Sequence, residues 1–545
     1  MERVNPGDAG SIFEPAGAGS GPVGGVAIVT QSASLAALFS DEIRTRAWRA
    51  AKVANIGNQL DVTHAQLIDW LRRDDETRVI GLHLEAVTDG QRLMAAISGV
   101  GKPVVVLRAA RTAAGARASS THSGSSAGER EVYLSALRQA GAVVVSSAEE
   151  LLDSLEALSL GTGRPGAGKR VGILTASGAL GVLAADAAED AGLEVPVLSS
   201  STQSRLRHLV PRLPASGNPV DVGQGQDAAT LAECARAIAD DLAVDALIVL
   251  GAGPSSRDLA AALRQLTADK AIVGSGLPPA PGFPSFASAE RAIAAYRSLV
   301  AYGRRRTATF EAARAAAAVP AASVTPMTIE GIGVMDEYEA KRLLDRWEVP
   351  VVPETLVTGP GRHEFVPIRK LATHFGYPVV LKAIREDIVH KSEMGAVAVG
   401  LASNEELQRA WEQMHERFPN AAWLVQPFLP GDVEVVVSAR RDPVFGPVVS
   451  FRPGGVIAEL YADVALRVAP FDRAEAIEMI EETTAAALMH GFRGLPEHDP
   501  AEVADVLVKV GRLMLGQPSV RELEIGPLLL TEKGPIAVSA MAEIG

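Results

Sequence analysis

The sequence predicts an α/β chain with two parallel-sheet domains and, after them, an α+β module. Three observations carry that expectation. From Gly25 to Leu160, short apolar runs alternate with helix-length stretches, the pattern of parallel strands joined by crossover helices. The segment RVGILTASGALG then repeats the order of GVAIVTQSASLA: apolar strand, small-residue turn, helix. Beyond Met335 the apolar runs PVVLKA, AVAVGL, AWLVQPFL, VEVVVSAR and FGPVVSF follow closely on one another, as strands of a largely antiparallel sheet do.

Residues 1–24 are rich in Gly, Pro and Ala and read as a tail or linker. The first domain is expected over 25–160. It holds the strand GVAIVTQS, a helix over Leu35 to Trp48, a helix over His64 to Arg73, the runs VIGLHLE and KPVVVLRAA, and GAVVVSS before a last helix. GTGRPGAGK (161–169) has linker composition. The second domain is expected over 169–304, with the loop ASGNPVDVG and the strand DALIVLGAG. Residues 305–334, Ala-, Val- and Thr-rich with Pro320 and Pro326, read as a linker. The α+β module fills 335–545 and opens with the charged amphipathic helix DEYEAKRLLDRW.

At 545 residues the chain has room for three or four domains. Aromatics are only 4%, so the cores must be built from Ala, Val, Leu and Ile. The 52 basic and 65 acidic side chains leave a net charge of −13, which argues against a general nucleic-acid binder. The single cysteine, Cys234, forms no intrachain disulfide and reads as core filler. No apolar run has the length of a membrane span, and the N-terminal residues lack a signal-peptide apolar core. A cytoplasmic location with no membrane or nucleic-acid partner is expected.

Several segments hold residues suited to chemistry. His122 lies in GARASSTHSGSSAGE, among small residues ahead of a helix. An imidazole near a helix N-terminus, where anions are favoured, is able to accept a phosphoryl group; an ordinary surface loop fits the same residues. Glu85 ends the strand VIGLHLE, at the carboxyl edge where open α/β sheets gather ligands. There it would orient an imidazole or be a solvated rim residue. Lys382 ends another strand, with His390 and Lys391 beyond it. A lysine so placed reaches phosphates as a point charge; a charged, exposed connection is the plainer reading. The turns around Gln31 and Ser32, and around Ser177 and Gly178, join strand to helix, and GNPVD places Asn218 and Asp221 in a tight loop. There is no GxxxxGK[ST] phosphate loop, no HExxH and no thiolate cluster.

Taken in order, GVAIVTQS, NIGNQLDV, HLEAVTDG, STHSGSSAG, ILTASGALGVLAADA, GNPVD, PVVLKA, IVHKSEMGAV, VQPFLPG, DPVFGPVVSF and RELEIGPL resemble the ADP-forming acyl-CoA synthetases, relatives of succinyl-CoA synthetase. The resemblance implies two flavodoxin-like domains followed by an ATP-grasp module. It also implies a ligase that joins an acid and CoA at the expense of ATP, through an acyl phosphate and a phosphohistidine. On the matching positions His122 is the phosphorylated histidine, Glu85 its supporting carboxylate and His390 a second relay histidine. Lys382, Val425, Gln426, Glu434, Gly454 and Gly455 fall on the nucleotide side. Gln31, Ser32, Ser177, Gly178, Asn218 and Asp221 fall on substrate or phosphate loops. The implied small molecules are ATP or ADP, Mg²⁺, CoA and a small carboxylic acid.

The departures from the family pattern are specific. The family begins with a CoA-binding domain, and this sequence starts about where that domain would end, so a separate CoA-binding chain is one expected partner and a homo-oligomer another. Of the metal ligands only Glu524 remains: Gly526 stands for the Asn of an NPL motif and Ser539 for a downstream Asp. The glycine loop usually written GLGG reads Arg452-Pro453-Gly454-Gly455, and SQSGA reads TQSAS. These departures leave two alternatives beside the ligase: a catalytically degenerate regulatory or assembly partner, and a ligase that passes an acyl phosphate to a nucleophile other than CoA.

Overall fold

A computed structural model describes residues 14–15, 21–109, 112, 114, 130–160, 168–251, 256–266, 270–279, 283–318, 333–358, 365–385, 388, 394–455 and 463–545. The chain divides into two compact units, 1–311 and 312–545.

In the first unit one sheet comprises β1 (Glu14–Pro15), β2 (Gly24–Thr30), β3 (Arg49–Asn55), β4 (Val79–Leu84), β5 (Val104–Arg108) and β6 (Val143–Val145). Its order is β1-β3-β2-β4-β5-β6, parallel except for β1 at the edge. The parallel strands are crossed over by α1 (Ala33–Thr45), α2 (His64–Arg73), α3 (Gly90–Gly99) and α4 (Arg130–Gln139), with α5 (Ala148–Leu160) after β6. Every residue of β2 and β4 is buried, which is why those segments are unbroken apolar runs: helices cover both faces.

The second sheet holds β7 (Val171–Thr175), β8 (Val220–Asp221), β9 (Ala246–Leu250), β10 (Ala271–Ser275) and β11 (Ser285–Phe286), in the order β11-β10-β9-β7-β8, all parallel. Its helices are α6 (Gly178–Asp190), α7 (Ser200–Leu209), α8 (Ala228–Ala239), α9 (Ser256–Leu266) and α10 (Ala289–Ala318). Counting only the parallel strands, β2 to β6 in the first sheet and β7 to β11 in the second, both have the flavodoxin order 2-1-3-4-5, so the sequence repeat is a repeat of topology. In that order the strand sequence reverses between β2 and β4, and between β7 and β9, and ligands gather outside the strand ends at such points.

The two sheets share one hydrophobic core, which takes in Ile28, Leu155, Ile173, Ile248 and Tyr296. The connection is α5, whose residues Leu151 to Leu160 are all buried although four are polar. Each polar group has a partner. Asp153 accepts from Arg46 at 2.7 Å and from Arg291 at 2.7 Å, Ser154 meets Ser298 at 2.9 Å, and Ser159 donates to the Gly24 carbonyl at 2.6 Å. Glu156 lies 3.5 Å from Arg46, and burial pushes its carboxyl up to about 7. α10 runs to Ala318, through the first half of the segment expected as a linker over 305–334. The physical reason is composition: alanine is the strongest helix former, and the prolines that break the pattern come only at 320 and 326.

The second unit is α+β. Its seven-stranded sheet holds β12 (Gly333–Met335), β17 (Val433–Asp442), β18 (Gly446–Pro453), β19 (Ala465–Val468), β20 (Val520–Thr531), β21 (Gly534–Ala537) and β22 (Ala540–Ile544), antiparallel throughout. The four-stranded sheet holds β13 (Thr355–Val357), β14 (Val379–Ile384), β15 (Val397–Leu401) and β16 (Ala422–Pro427), in the antiparallel order β13-β16-β14-β15. One face of the large sheet packs on α14 (Arg473–Glu481), α15 (Thr484–Met489) and α16 (Pro500–Gly516), and α11 (Glu337–Arg346) joins that core through Ala340, Leu343 and Leu344. Among the described residues no helix is long and apolar enough to cross a membrane.

Asp153 is 2% exposed and faces two guanidinium groups. Asp153→Ala would leave both cations without their shared carboxylate, a loss of about 3 kcal/mol. Hydrogen exchange should report it as faster exchange in both α5 and α10, while α16 keeps its protection.

Candidate functional site

In the first sheet the reversal point lies between the ends of β2 and β4. Gln31 follows β2 and is buried. Its side-chain oxygen accepts from the Glu85 amide at 2.7 Å and from the Ala86 amide at 3.1 Å. Arg108, at the end of β5, donates to the Glu85 carbonyl at 2.6 Å and the Leu84 carbonyl at 3.2 Å, and packs 4.3 Å from the Tyr133 ring centre. Gln59 donates to the Ala86 carbonyl at 2.8 Å. The backbone of Glu85 is therefore held by Gln31 and Arg108, with Gln59 holding the next residue, while the Glu85 carboxylate makes no hydrogen bond or ion pair with a described residue. Gln31, expected on a substrate loop, engages its side-chain oxygen with the backbone at Glu85 and Ala86. Ser32 caps α1, accepting from the Leu35 amide at 3.3 Å. His122 lies outside the described residues.

The second sheet repeats the arrangement with different polar groups spent. Asn218 donates to the carbonyls of Val171 at 2.8 Å and Pro196 at 3.0 Å and accepts from the Ile173 amide at 2.9 Å. It therefore braces the backbone of β7 and the segment before α7. Asp221 accepts from the Gly223 amide at 2.9 Å. Ser177 stands at the N-cap of α6 without a side-chain capping bond. A Cβ on Gly178 would sit 3.1 Å from the Asp221 carboxylate, so glycine there keeps the turn close to Asp221. Ser177, Gly178 and Asp221 meet at one end of the sheet; Asn218 does not join them.

The second unit contains a buried charge cluster that the sequence reading found only in part. Lys382, on β14, is 5% exposed and not a surface connection. Its ammonium donates to Glu337 at 2.5 Å and to the Val538 carbonyl at 2.7 Å. Glu337 and Lys341 are four apart on α11, so they project from the same face. Lys341 donates to Glu337 at 2.9 Å, to the Val538 carbonyl at 3.2 Å and to the Gln426 side chain at 3.3 Å, and it pairs with Glu354. Burial pulls the Lys382 ammonium down to about 8, against the pull of Glu337, and pushes the Glu354 carboxyl up to about 7. The signal for Glu337 and Lys341 was present in DEYEAKRLL: both lie beside the apolar positions Ala340 and Leu344, on the face that must be buried. Val425 is fully buried in the core of the four-stranded sheet. His390 lies outside the described residues.

The other face of the seven-stranded sheet carries the remaining candidates. Ser438 donates to Glu524 at 3.2 Å across the β17–β20 pair. Gly526 donates its amide to the Ser539 carbonyl at 3.2 Å, so the positions expected to hold metal ligands are neighbours. Glu434 is exposed. The Gly454 amide is spent on the Glu434 carbonyl at 2.7 Å, and a Cβ there would come within 2.8 Å of the same backbone. Glycine at 454 thus serves close strand packing and offers no free donor. Gly455 has φ of +87° with open space around it.

Of the three positions expected to hold Mg²⁺, only Glu524 carries a carboxylate; Gly526 has no side chain and Ser539 a neutral hydroxyl, while the exposed Glu434 on β17 lies on the same face. Among the described residues no group of three or more His, Cys, Asp or Glu is placed to hold a metal ion. Mg²⁺ is usually held by one or two carboxylates completed by waters and substrate phosphates, and of the expected ligands this chain retains the Glu524 carboxylate.

Comparison with known proteins places three family matches along the chain: a succinyl-CoA ligase like flavodoxin domain over residues 23–158, a ligase-CoA domain over 171–253 and an ATP-grasp domain over 327–544. The chain is similar to acetate–CoA ligase (ADP-forming) I of Archaeoglobus fulgidus, 29% identical, covering 96% of this chain and 78% of that protein. It is similar to 4-hydroxybutyrate–CoA ligase (ADP-forming) of Nitrosopumilus maritimus, 25% identical over 94% of this chain and 76% of that protein. The beta subunit of acetate–CoA ligase (ADP-forming) I of Pyrococcus furiosus is 37% identical over 37% of this chain and 89% of its own length.

Anion binding at Lys382 requires the ammonium form. With its pKa held near 8, affinity for ADP should be full below that pH and fall as pH rises through it. Lys382→Arg keeps its charge throughout, so its calorimetric affinity profile should lose that step.

Proposed function

The chain belongs to the ADP-forming acyl-CoA synthetase family, and on that premise we propose that it activates a small carboxylic acid with ATP for transfer to CoA. The observation that carries the nucleotide half is Lys382: a buried ammonium, held 2.5 Å from Glu337 and beside Val538, at the edge of an open polar sheet face. A phosphate group that displaces this contact meets a cation already stripped of water, where its attraction is strong.

The proposed sequence has three displacements. An imidazole nitrogen of His122 attacks the γ-phosphorus of ATP, the bond to the β-phosphate oxygen breaks, and ADP leaves. A carboxylate oxygen of the acid attacks the same phosphorus and the N–P bond breaks, giving an acyl phosphate. The CoA thiolate attacks the acyl carbon and phosphate departs. Glu85 is the orienting carboxylate for His122: its backbone is fixed by Gln31 and Arg108, and its carboxylate remains available. A carboxylate on a rigid mount selects one imidazole tautomer and stabilises the charged ring. His390, the second histidine that the resemblance implies, would as a relay add one displacement: its nitrogen takes the γ-phosphoryl group from ATP, and His122 then takes it as the His390 N–P bond breaks. The relatives are named for acetate, 4-hydroxybutyrate and trans-feruloyl-CoA, and a short acid is the reading to test first. The Pyrococcus relative is named as a beta subunit, and a separate CoA-binding chain is accordingly a partner to test by co-purification.

One observation favours a second reading, a nucleotide-binding partner without turnover: of the three positions expected to hold Mg²⁺, only Glu524 carries a carboxylate. Incubation with γ-labelled ATP separates the two. The ligase reading expects acid-labile label on the unmodified protein, none on His122→Ala, and slower labelling of Glu85→Gln at unchanged ADP affinity. Normal ADP binding with no label on the unmodified protein supports the second reading and rejects the first.

A further inference from the structure

The seven-stranded sheet has one face in the core and one outside it, and the pleat sorts its residues. Val433, Val435, Val437 and Ala439 on β17, with Phe451 on β18 and Ile525 on β20, belong to the core. The residues between them point the other way. Cross-strand register sets these into two rows. The first runs Ser450, Ser438, Glu524, Met541. The second runs Arg452, Val436, Gly526, Ser539: Arg452 pairs with Val436, a Cβ on Gly526 would lie 3.8 Å from the Val436 side chain, and Gly526 bonds to Ser539. Val538, next to Ser539, takes the Lys382 ammonium at 2.7 Å. The second row therefore has a guanidinium at one end and a buried ammonium beside the other.

Between these cations lies a position without a side chain. The nearest atom to a Cβ built on Gly526 is a Glu524 oxygen at 3.4 Å. Arg452 and Gly526 stand two strand spacings apart, about 10 Å, a gap that an arginine side chain and a phosphate group together fill. Arg452 is half-buried and makes no hydrogen bond or ion pair with any described residue. A partly desolvated guanidinium with its five donors unspent favours a multi-oxygen anion. One carboxylate, Glu524, sits in the adjoining row, already engaged by Ser438. The exposed Glu434 lies two residues before Val436 on β17, whereas the second row itself, Arg452, Val436, Gly526 and Ser539, holds a guanidinium and no carboxylate.

We propose that Arg452 is a phosphate-binding residue of this chain, supplying charge to a nucleoside diphosphate that a bound divalent cation would otherwise supply, so that the nucleotide binds with little dependence on Mg²⁺. The proposal rests on the nucleotide reading of the Lys382 site. Gly526 and Ser539 are its complement: removing carboxamide and carboxylate from the second row opens space and removes the negative charge that would repel a metal-free phosphate.

The test is calorimetric titration of the full chain with ADP, in Mg²⁺ and in EDTA. The unmodified protein should lose no more than about threefold in affinity when Mg²⁺ is removed, and Arg452→Gln should lose about tenfold or more in EDTA, the effect of one charge-assisted contact. Arg452→Lys should retain part of the affinity, since an ammonium still binds phosphate as a point charge. Ser539→Asp should weaken binding in EDTA and restore a dependence on Mg²⁺. Equal circular dichroism spectra for all variants exclude misfolding as the cause. The proposal is overturned if the unmodified protein binds ADP only with Mg²⁺, or if Arg452→Gln binds as the unmodified protein does. Absence of ADP binding in both buffers, or binding indifferent to Lys382→Ala, overturns the nucleotide reading and this proposal with it.

Discussion

The second unit depends on one carboxylate, Glu337, shared by two ammonium groups in a site from which water is excluded. Glu337 is 2% exposed, Lys341 is 1% and Lys382 is 5%. None of the three is tolerable alone at that depth, because an unpaired buried charge costs several kcal/mol. Together they tie α11 to β14, and both lysines reach the Val538 carbonyl in the turn before β22. A helix, a strand of the small sheet and a turn of the large sheet are thereby held at one point. The same contacts hold Lys382 as a buried cation between the Glu337 carboxylate and the Val538 carbonyl.

The first unit uses the same logic without the functional residue. α5 is buried on all sides, and each of its polar groups meets a specific partner on β2, α1 or α10. That gives the two repeated sheets one continuous core. Buried polar groups of this kind are strongly position-specific, since misplacement leaves them unsatisfied. They fix the reversal points of both sheets, where Glu85, Ser177 and Asp221 present side chains.

The division between spent and available polar groups separates scaffold from site. Gln31, Asn218 and the Gly454 amide carry the family pattern, yet each is consumed by backbone partners. Glu85 and Arg452 have side chains without a described partner, and Glu524 has only a serine hydroxyl. On the large sheet's outer face, two of the three positions expected as metal ligands, Gly526 and Ser539, carry no carboxylate, and Arg452 lies in the same row.

Much of this was readable in order along the chain. Unbroken apolar runs such as GVAIVT and VIGLHL marked strands covered on both faces, the repeat at RVGILTASGALG marked the second sheet, and the resemblance located Glu85, Lys382 and the changes at 526 and 539. Sequence determines these because they depend on local pattern: apolar periodicity, turn composition and residue type at a motif position. It did not disclose that Gln31 serves Glu85, that Asn218 braces β7, or that Glu337 and Lys341 complete the Lys382 site. Those facts join residues 54, 45 and 45 positions apart, and such pairings are decided only when strands and helices from distant segments pack against each other. Nor does a one-dimensional pattern tell a buried lysine from an exposed one. The cost of desolvating its charge is met by partners that only the tertiary fold brings within reach.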